Sequence, residues 1–142
     1  MDYTELSYEL LQTIYRYYTF QTHRRLNSAM HGEAFALQYI AQNDDAVVPS
    51  DIESAMNVSS ARIATVLNGL ENKKWITRRI DPQDRRRTIL KLTPMGEDQA
   101  AKSSQQLLIL LAEILEYLGE SDAKDYVRIM GKLAERCNGV LE

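Results

Sequence analysis

Asp81-Pro82-Gln83-Asp84-Arg85-Arg86-Arg87-Thr88-Ile89-Leu90-Lys91-Leu92-Thr93-Pro94-Met95-Gly96 is the stretch that decides the fold. Pro82 between Asp81 and Asp84 marks a turn. Thr88, Leu90 and Leu92 then alternate with Ile89 and Lys91, the two-residue period of a strand. Thr93 has the chemistry of an N-cap, with Pro94 at the first helical position and Glu97 in the first turn, so a helix opens where the strand ends. Residues 75–80 supply the other strand. The result is a hairpin with a basic tip, feeding directly into a helix.

Upstream, Pro49 suits the first turn of a helix whose inner face is Ile52, Ala55 and Met56. Asn57-Val58-Ser59 is a tight connection, and Ser59 caps a further helix running from Ser60 to about Lys74. Ile63, Val66, Leu67 and Leu70 face inward there, while Ser60, Arg62, Thr65, Asn68 and Gly69 point elsewhere. Residues 2–29 read as one helix on the spacing of Leu6, Leu10, Ile14 and Tyr17. Gly32 breaks it, and Glu33–Asn43 is a short second helix bearing Phe35, Leu37, Tyr39 and Ile40. Downstream, a long helix over 93–118 is stopped by Gly119, and a last helix carries Tyr126, Ile129, Met130, Leu133 and Cys137 on one face. The fold class is therefore mainly α with a small β-hairpin wing. Two short helices joined by three residues and followed by a basic hairpin make a winged helix-turn-helix. In such a motif the second helix enters a major groove, and the hairpin can send an arginine into the adjacent minor groove.

Charge agrees with that placement. The 142-residue chain has a net charge of −3. Residues 46–96 hold nine Lys/Arg against five Asp/Glu, a local +4, which leaves −7 for the rest. A basic module in an acidic body fits a polyanion contact confined to the middle of the chain; it also fits a plain solvated surface. The longest uninterrupted apolar run, Leu107–Ala112, is six residues, far short of the roughly 20 that span a membrane. The N-terminus lacks a basic, apolar leader, so a cytoplasmic location and no membrane partner are expected. One cysteine excludes an internal disulfide and a multi-cysteine zinc site; Cys137 reads as a buried, inert thiol. His23 and His31 with Glu33 are too few for a metal site, and neither a metal nor a cofactor is expected. No glycine-rich phosphate loop, Gly-x-Ser-x-Gly or His-Glu-x-x-His is present, so no enzyme activity is expected.

The run 81–96 resembles the wing signature of the multiple-antibiotic-resistance regulator (MarR) family: an Asp-Arg-Arg tip, an alternating strand, then Leu-Thr-x-x-Gly opening the long dimerisation helix. Pro49-Ser50-Asp51-Ile52 is similar to the start of that family's third helix, Asn57-Val58-Ser59 to its turn, and Leu70–Ile76 to the end of its recognition helix. The resemblance implies a homodimeric transcription regulator, usually a repressor, on a pseudo-palindromic double-stranded operator. It implies a dimerisation region formed by residues 1–32 and 93–142, and a DNA-binding region formed by 33–92. Many members release DNA when a small phenolic or lipophilic effector enters a cleft between the two regions. Where the family often has Thr-Val-Thr-Arg in the recognition helix, this chain has Arg62-Ile63-Ala64-Thr65. The general role carries over; the operator sequence does not. Val48 replaces the usual threonine cap of the third helix.

On that reading Ser59, Ser60, Arg62, Thr65 and Asn68 face DNA from the recognition helix, and Asp84, Arg85, Arg86 and Arg87 from the wing. Arg can pair with guanine and Asn with adenine, though each of these side chains fits a phosphate contact as well. Arg86 is assigned to the minor groove. Asp84 is expected to pair with a nearby arginine and shape the tip, and Arg85 and Arg87 to touch phosphate or fold back. An effector cleft for an aromatic acid or phenol is assigned to Tyr15, Tyr18, His23, His31, Phe35 and Tyr39. The same rings also suit a dimer core. Two rival readings stand beside this one: a winged-helix module for protein contacts that has lost DNA binding, and a small-molecule-binding protein or enzyme using the aromatic cleft.

Overall fold

The computed structural model describes residues 2–43 and 46–136, without the side chains of Thr22 and Ala29. Its elements are α1 (Thr4–Tyr18), α2 (Gln21–Met30), α3 (Gly32–Gln42), α4 (Pro49–Met56), α5 (Ser60–Asn72), β1 (Ile76–Ile80), β2 (Thr88–Leu92), α6 (Pro94–Leu118) and α7 (Glu120–Arg136). The mainly α class with one antiparallel hairpin is as expected from the pattern.

One element differs. Residues 2–29 are two helices, not one. The Thr19 hydroxyl donates to the Arg16 carbonyl at 2.7 Å, and Thr19 and Phe20 N–H bond back to Arg16 and Tyr17. A hydroxyl that satisfies the last turn's carbonyl competes with helix continuation. Phe20 is then extended (φ −75°, ψ 142°), and α2 starts anew.

The core lies within residues 36–100. Ala36, Leu37 and Ile40 of α3 meet Ile52 of α4, Ile63, Leu67 and Leu70 of α5, Ile76 and Leu90 of the hairpin, and Ala100 of α6. The 63-67-70 spacing gives α5 a single apolar stripe and leaves its opposite face to solvent. Ala55, expected inside, is exposed; over the eight residues of α4 only Ile52 is buried. Val48 makes no side-chain cap, but the Asp51 carboxylate accepts the Val48 N–H at 2.9 Å, which supplies the missing restraint.

In the hairpin, Ile76 pairs Leu92, Arg78 pairs Leu90, and Ile80 pairs Thr88, all on one face; Thr77–Lys91 and Arg79–Ile89 form the other. Ile89 is buried as well, so strict in-out alternation fails in β2. Val47 adds an isolated bridge to β2 by accepting the Leu90 N–H at 2.8 Å.

The start of α6 is locked to the end of the α5–β1 connection. Thr93 N–H donates to Trp75 O at 3.0 Å, Thr93 Oγ1 donates to Lys74 O at 2.6 Å, and the same oxygen accepts Gly96 N–H at 3.0 Å. The expected Thr93 cap is therefore present. Gly96 lies so close to this junction that a Cβ there would sit 1.9 Å from the Trp75 carbonyl oxygen.

The chain divides into two compact units, residues 1–104 and 105–142. In the first, α1 has no buried residue, and Leu6, Leu10, Leu11 and Ile14 are all exposed. In the second, Leu110 is buried, while Leu108, Ile109, Tyr117 and the expected α7 face of Tyr126, Ile129, Met130 and Leu133 are exposed. Cys137 lies outside the described residues. No helix among the described residues is long and apolar enough to cross a membrane.

Candidate nucleic-acid interface

The solvent face of α5 carries Ser60, Arg62, Thr65 and Asn68, all exposed, behind the exposed cap residue Ser59. Ser59 Oγ accepts the Arg62 N–H at 3.3 Å, the expected cap. Ser60 Oγ donates to Glu53 Oε1 of α4 at 2.8 Å, tying the two helices of the pair together. Thr65 Oγ1 donates to its own helix at Ala61 O, 3.1 Å away. Asn68 Oδ1 accepts from Arg78 Nη2 of β1 at 2.7 Å, and Arg78 Nε lies 3.1 Å from Glu71 Oε2. Sequence reading missed Arg78; its one signal was a basic residue on the strand that follows α5. Arg62 has no ion pair or hydrogen bond from its side chain among the described residues.

The wing tip is shaped by two aspartates with different tasks. Asp81 is 9% exposed; its Oδ1 accepts Gln83 N–H at 2.9 Å and its Oδ2 lies 3.6 Å from Arg87 Nη1. Asp84 Oδ1 accepts the backbone N–H of Arg86 at 3.0 Å, an Asx turn, in place of the expected ion pair with an arginine. The arginine partner goes to Asp81 instead, because Arg87 lies at the foot of β2 beside it, where its backbone also exchanges hydrogen bonds with Asp81 and Asp84. Arg87 thus folds back, and Arg85 and Arg86 extend from a braced turn with no ion pair among the described residues.

The electrostatic outcome is lopsided. Of the nine basic residues in 46–96, Lys73, Arg78 and Arg87 are ion-paired, with Glu33, Glu71 and Asp81. Lys73 also stands over the Trp75 ring, 4.8 Å from its centroid. Arg62, Lys74, Arg79, Arg85, Arg86 and Lys91 have no such partner among the described residues and remain available to an anion.

The six residues assigned to an effector cleft fall into smaller groups. His23 meets Tyr17 and Tyr18 edge-on, with ring centroids 4.9 and 4.1 Å apart. Phe35 and Tyr39 stack at 6.3 Å on α3. His31 Nδ1 lies 2.8 Å from Asn27 O, and Tyr15 is exposed. None of the six lines the open cleft of about 830 Å³ that lies among the end of α3, the outer hairpin face and the first turns of α6. That cleft has Ile89 and Ala100 among its apolar walls and Arg79, Lys91 and Glu97 among its charged ones.

Residues 29–87, from the end of α2 to the wing tip, match the model of the MarR family. The match is to the MarR family, over that segment. The matched segment contains α5 and the wing tip together. Among curated proteins, the chain is similar to the HTH-type transcriptional regulator YdgJ of Bacillus subtilis, 24% identical over 96 residues, covering 68% of this chain and 58% of that protein. It is similar also to the HTH-type transcriptional repressor YetL of the same organism, 24% identical over 93 residues, 66% of this chain and 56% of that one. The chain thus spans little more than half the length of these relatives. Its fold is similar to that of MepR of Staphylococcus aureus in a MepR–DNA complex, with a TM-score of 0.66 and 21% identity, over 89% of this chain and 95% of the other.

Proposed function

We propose that this protein is a transcription regulator, not an enzyme, that binds double-stranded operator DNA in the cytoplasm. The observation that carries the reading is the pairing of two surfaces in one segment: the exposed polar face of α5 and a braced wing tip whose Arg85 and Arg86 are uncommitted. The α5 face suits a major groove and Arg86 the neighbouring minor groove. That MepR, a protein of similar fold, has been seen in complex with DNA supports DNA binding by this chain. YetL, a repressor by name, supports repression over activation.

The finer reading is a two-fold dimer on a pseudo-palindromic site. Residues 1–32 and 93–142 form the dimerisation region, and residues 33–92 the DNA-binding region. Its support is apolar surface: α1 and α7 bury no residue within the chain, yet carry Leu6, Leu10, Ile14, Ile129, Met130 and Leu133. A second copy is the self-complementary cover. Light scattering at micromolar concentration should give twice the 16.3 kDa chain mass; a monomer that still binds DNA tightly would refute the dimer. A small aromatic or phenolic effector completes the reading. The aromatic positions of α1–α3 support it, as does the cleft walled by Arg79 and Lys91, which suits an acidic head on an apolar body.

The deciding experiment is a mobility shift with DNA flanking the protein's own gene, repeated across salt. With about half of the nine central cations of each protomer on phosphate, affinity should fall by about 10³- to 10⁵-fold between roughly 50 and 200 mM salt. Absence of binding at the low end would favour the protein-contact reading of the same winged helix.

A further inference from the structure

The geometry of one side-chain trio bears on which base the protein reads. Arg78 reaches from β1 across to α5, with Nη2 donating to Asn68 Oδ1 at 2.7 Å and Nε 3.1 Å from Glu71 Oε2. Asn68 and Glu71 are three apart on one helix face, so a single planar fork engages both. The orientation of the Asn68 amide follows from chemistry. A guanidinium has five donors and no acceptor, so the carboxamide atom that faces it is the oxygen. The NH₂ group is then turned away from Arg78.

Reading adenine with asparagine needs both ends of the amide at once: oxygen accepting from N6, nitrogen donating to N7. Here one of the oxygen's two lone pairs is taken by Arg78, whose positive charge also disfavours a second donor hydrogen such as N6–H beside it, while the two amide N–H donors stay unengaged by Arg78. Guanine presents two acceptors, O6 and N7, on its major-groove edge. We propose that Arg78 is a positioning residue that makes Asn68 a donor-only reader, so that the operator carries a G·C pair where Asn68 meets it. This rests on the DNA-binding reading above. It reverses the simple expectation that Asn68 pairs with adenine.

The test is selection of bound duplexes from a random pool by the full-length protein and by Asn68→Ala, Asn68→Asp and Arg78→Ala, with thermal melts on each. The position read by Asn68 is the one whose preference disappears in Asn68→Ala. The wild type should hold G·C there by at least about tenfold. Asn68→Asp keeps an oxygen for Arg78 but has no donors; it should fold normally and lose the preference. Arg78→Ala releases the amide oxygen and should admit A·T at that position to within about threefold of G·C. A role in stability alone would weaken all sequences equally and leave the selected motif unchanged. An A·T pair there in the wild-type pool overturns the inference. So does an Arg78→Ala pool identical to wild type, or an Asn68→Ala pool weakened without any change of motif. A wild type that selects no sequence at all refutes the DNA-binding reading itself, a result distinct from each of these.

Discussion

Arg86→Ala is expected to weaken operator binding by about 1–3 kcal/mol while leaving the melting temperature unchanged. Both halves follow from the wing's construction. The Arg86 backbone, not its guanidinium, is what the tip uses: its N–H is held by Asp84 at 3.0 Å. An alanine keeps that N–H, so the turn survives. The exposed guanidinium has no ion pair among the described residues, so its removal frees no buried charge. What is lost is a cation delivered at a rigid point, where a narrow groove concentrates negative potential. Arg86→Lys refines the result, since a point charge without a planar fork should recover only part of the affinity. Arg87→Ala should behave differently, because Arg87 answers the nearly buried Asp81 and its loss perturbs the wing as well as the charge. Equal DNA affinity of wild type and Arg86→Ala across several salt concentrations would remove Arg86 from the interface.

The second large effect concerns stability. Gly96→Ala should lower folding stability by about 3 kcal/mol and the melting temperature by on the order of 10 °C. An added Cβ would stand 1.9 Å from Trp75 O and 2.8 Å from its carbonyl carbon. Those are backbone atoms, and neither can step aside as a long side chain would. The Trp75 carbonyl is also fixed from the other side by the Thr93 N–H. Relief therefore requires α6 to shift off the connection and to loosen the Thr93 bonds to Lys74 and Gly96. A thermal melt of the variant checks this directly, and an unchanged midpoint would mean that the close approach is not maintained in solution. This is also the physical content of the glycine in Leu-Thr-x-x-Gly. The threonine caps the helix, and the glycine lets that helix touch the preceding loop.

Most of the fold was legible because its signals are local and redundant. Pro49, Ser59 and Thr93 each announced a helix start, and the 88–92 alternation announced a strand. The break at Thr19–Phe20 was not legible. No glycine or proline marks it, and a threonine hydroxyl bonded to the turn behind it leaves no trace in hydrophobic period. Ile89 was misread for a different reason: it stands on the wall of the cleft between α3 and the first turns of α6, a recess that a two-residue period cannot report. The surface followed the same rule. That Ser59, Arg62 and Asn68 would be exposed was clear from the helical stripe. That Asn68 would be engaged by Arg78 depends on how the hairpin lies against α5, a tertiary fact. Asp84 shows the intermediate case. Its importance to the tip was readable, but its partner was the chain itself, and the ion pair formed at Asp81.

The Val47–Leu90 bridge has a consequence for the order in which the molecule assembles. β1 and β2 are neighbours in sequence and can pair early, but this bridge joins residues 43 apart. Closing a loop of that size costs chain entropy before it returns contact energy. Everything between its ends, α4, α5 and the wing, is enclosed in the closed circuit. The segment holding α5 and the wing is therefore one that a nascent chain completes only after Leu90 has been synthesised and released. A truncation that stops at the wing tip would leave α5 without the strand that closes around it.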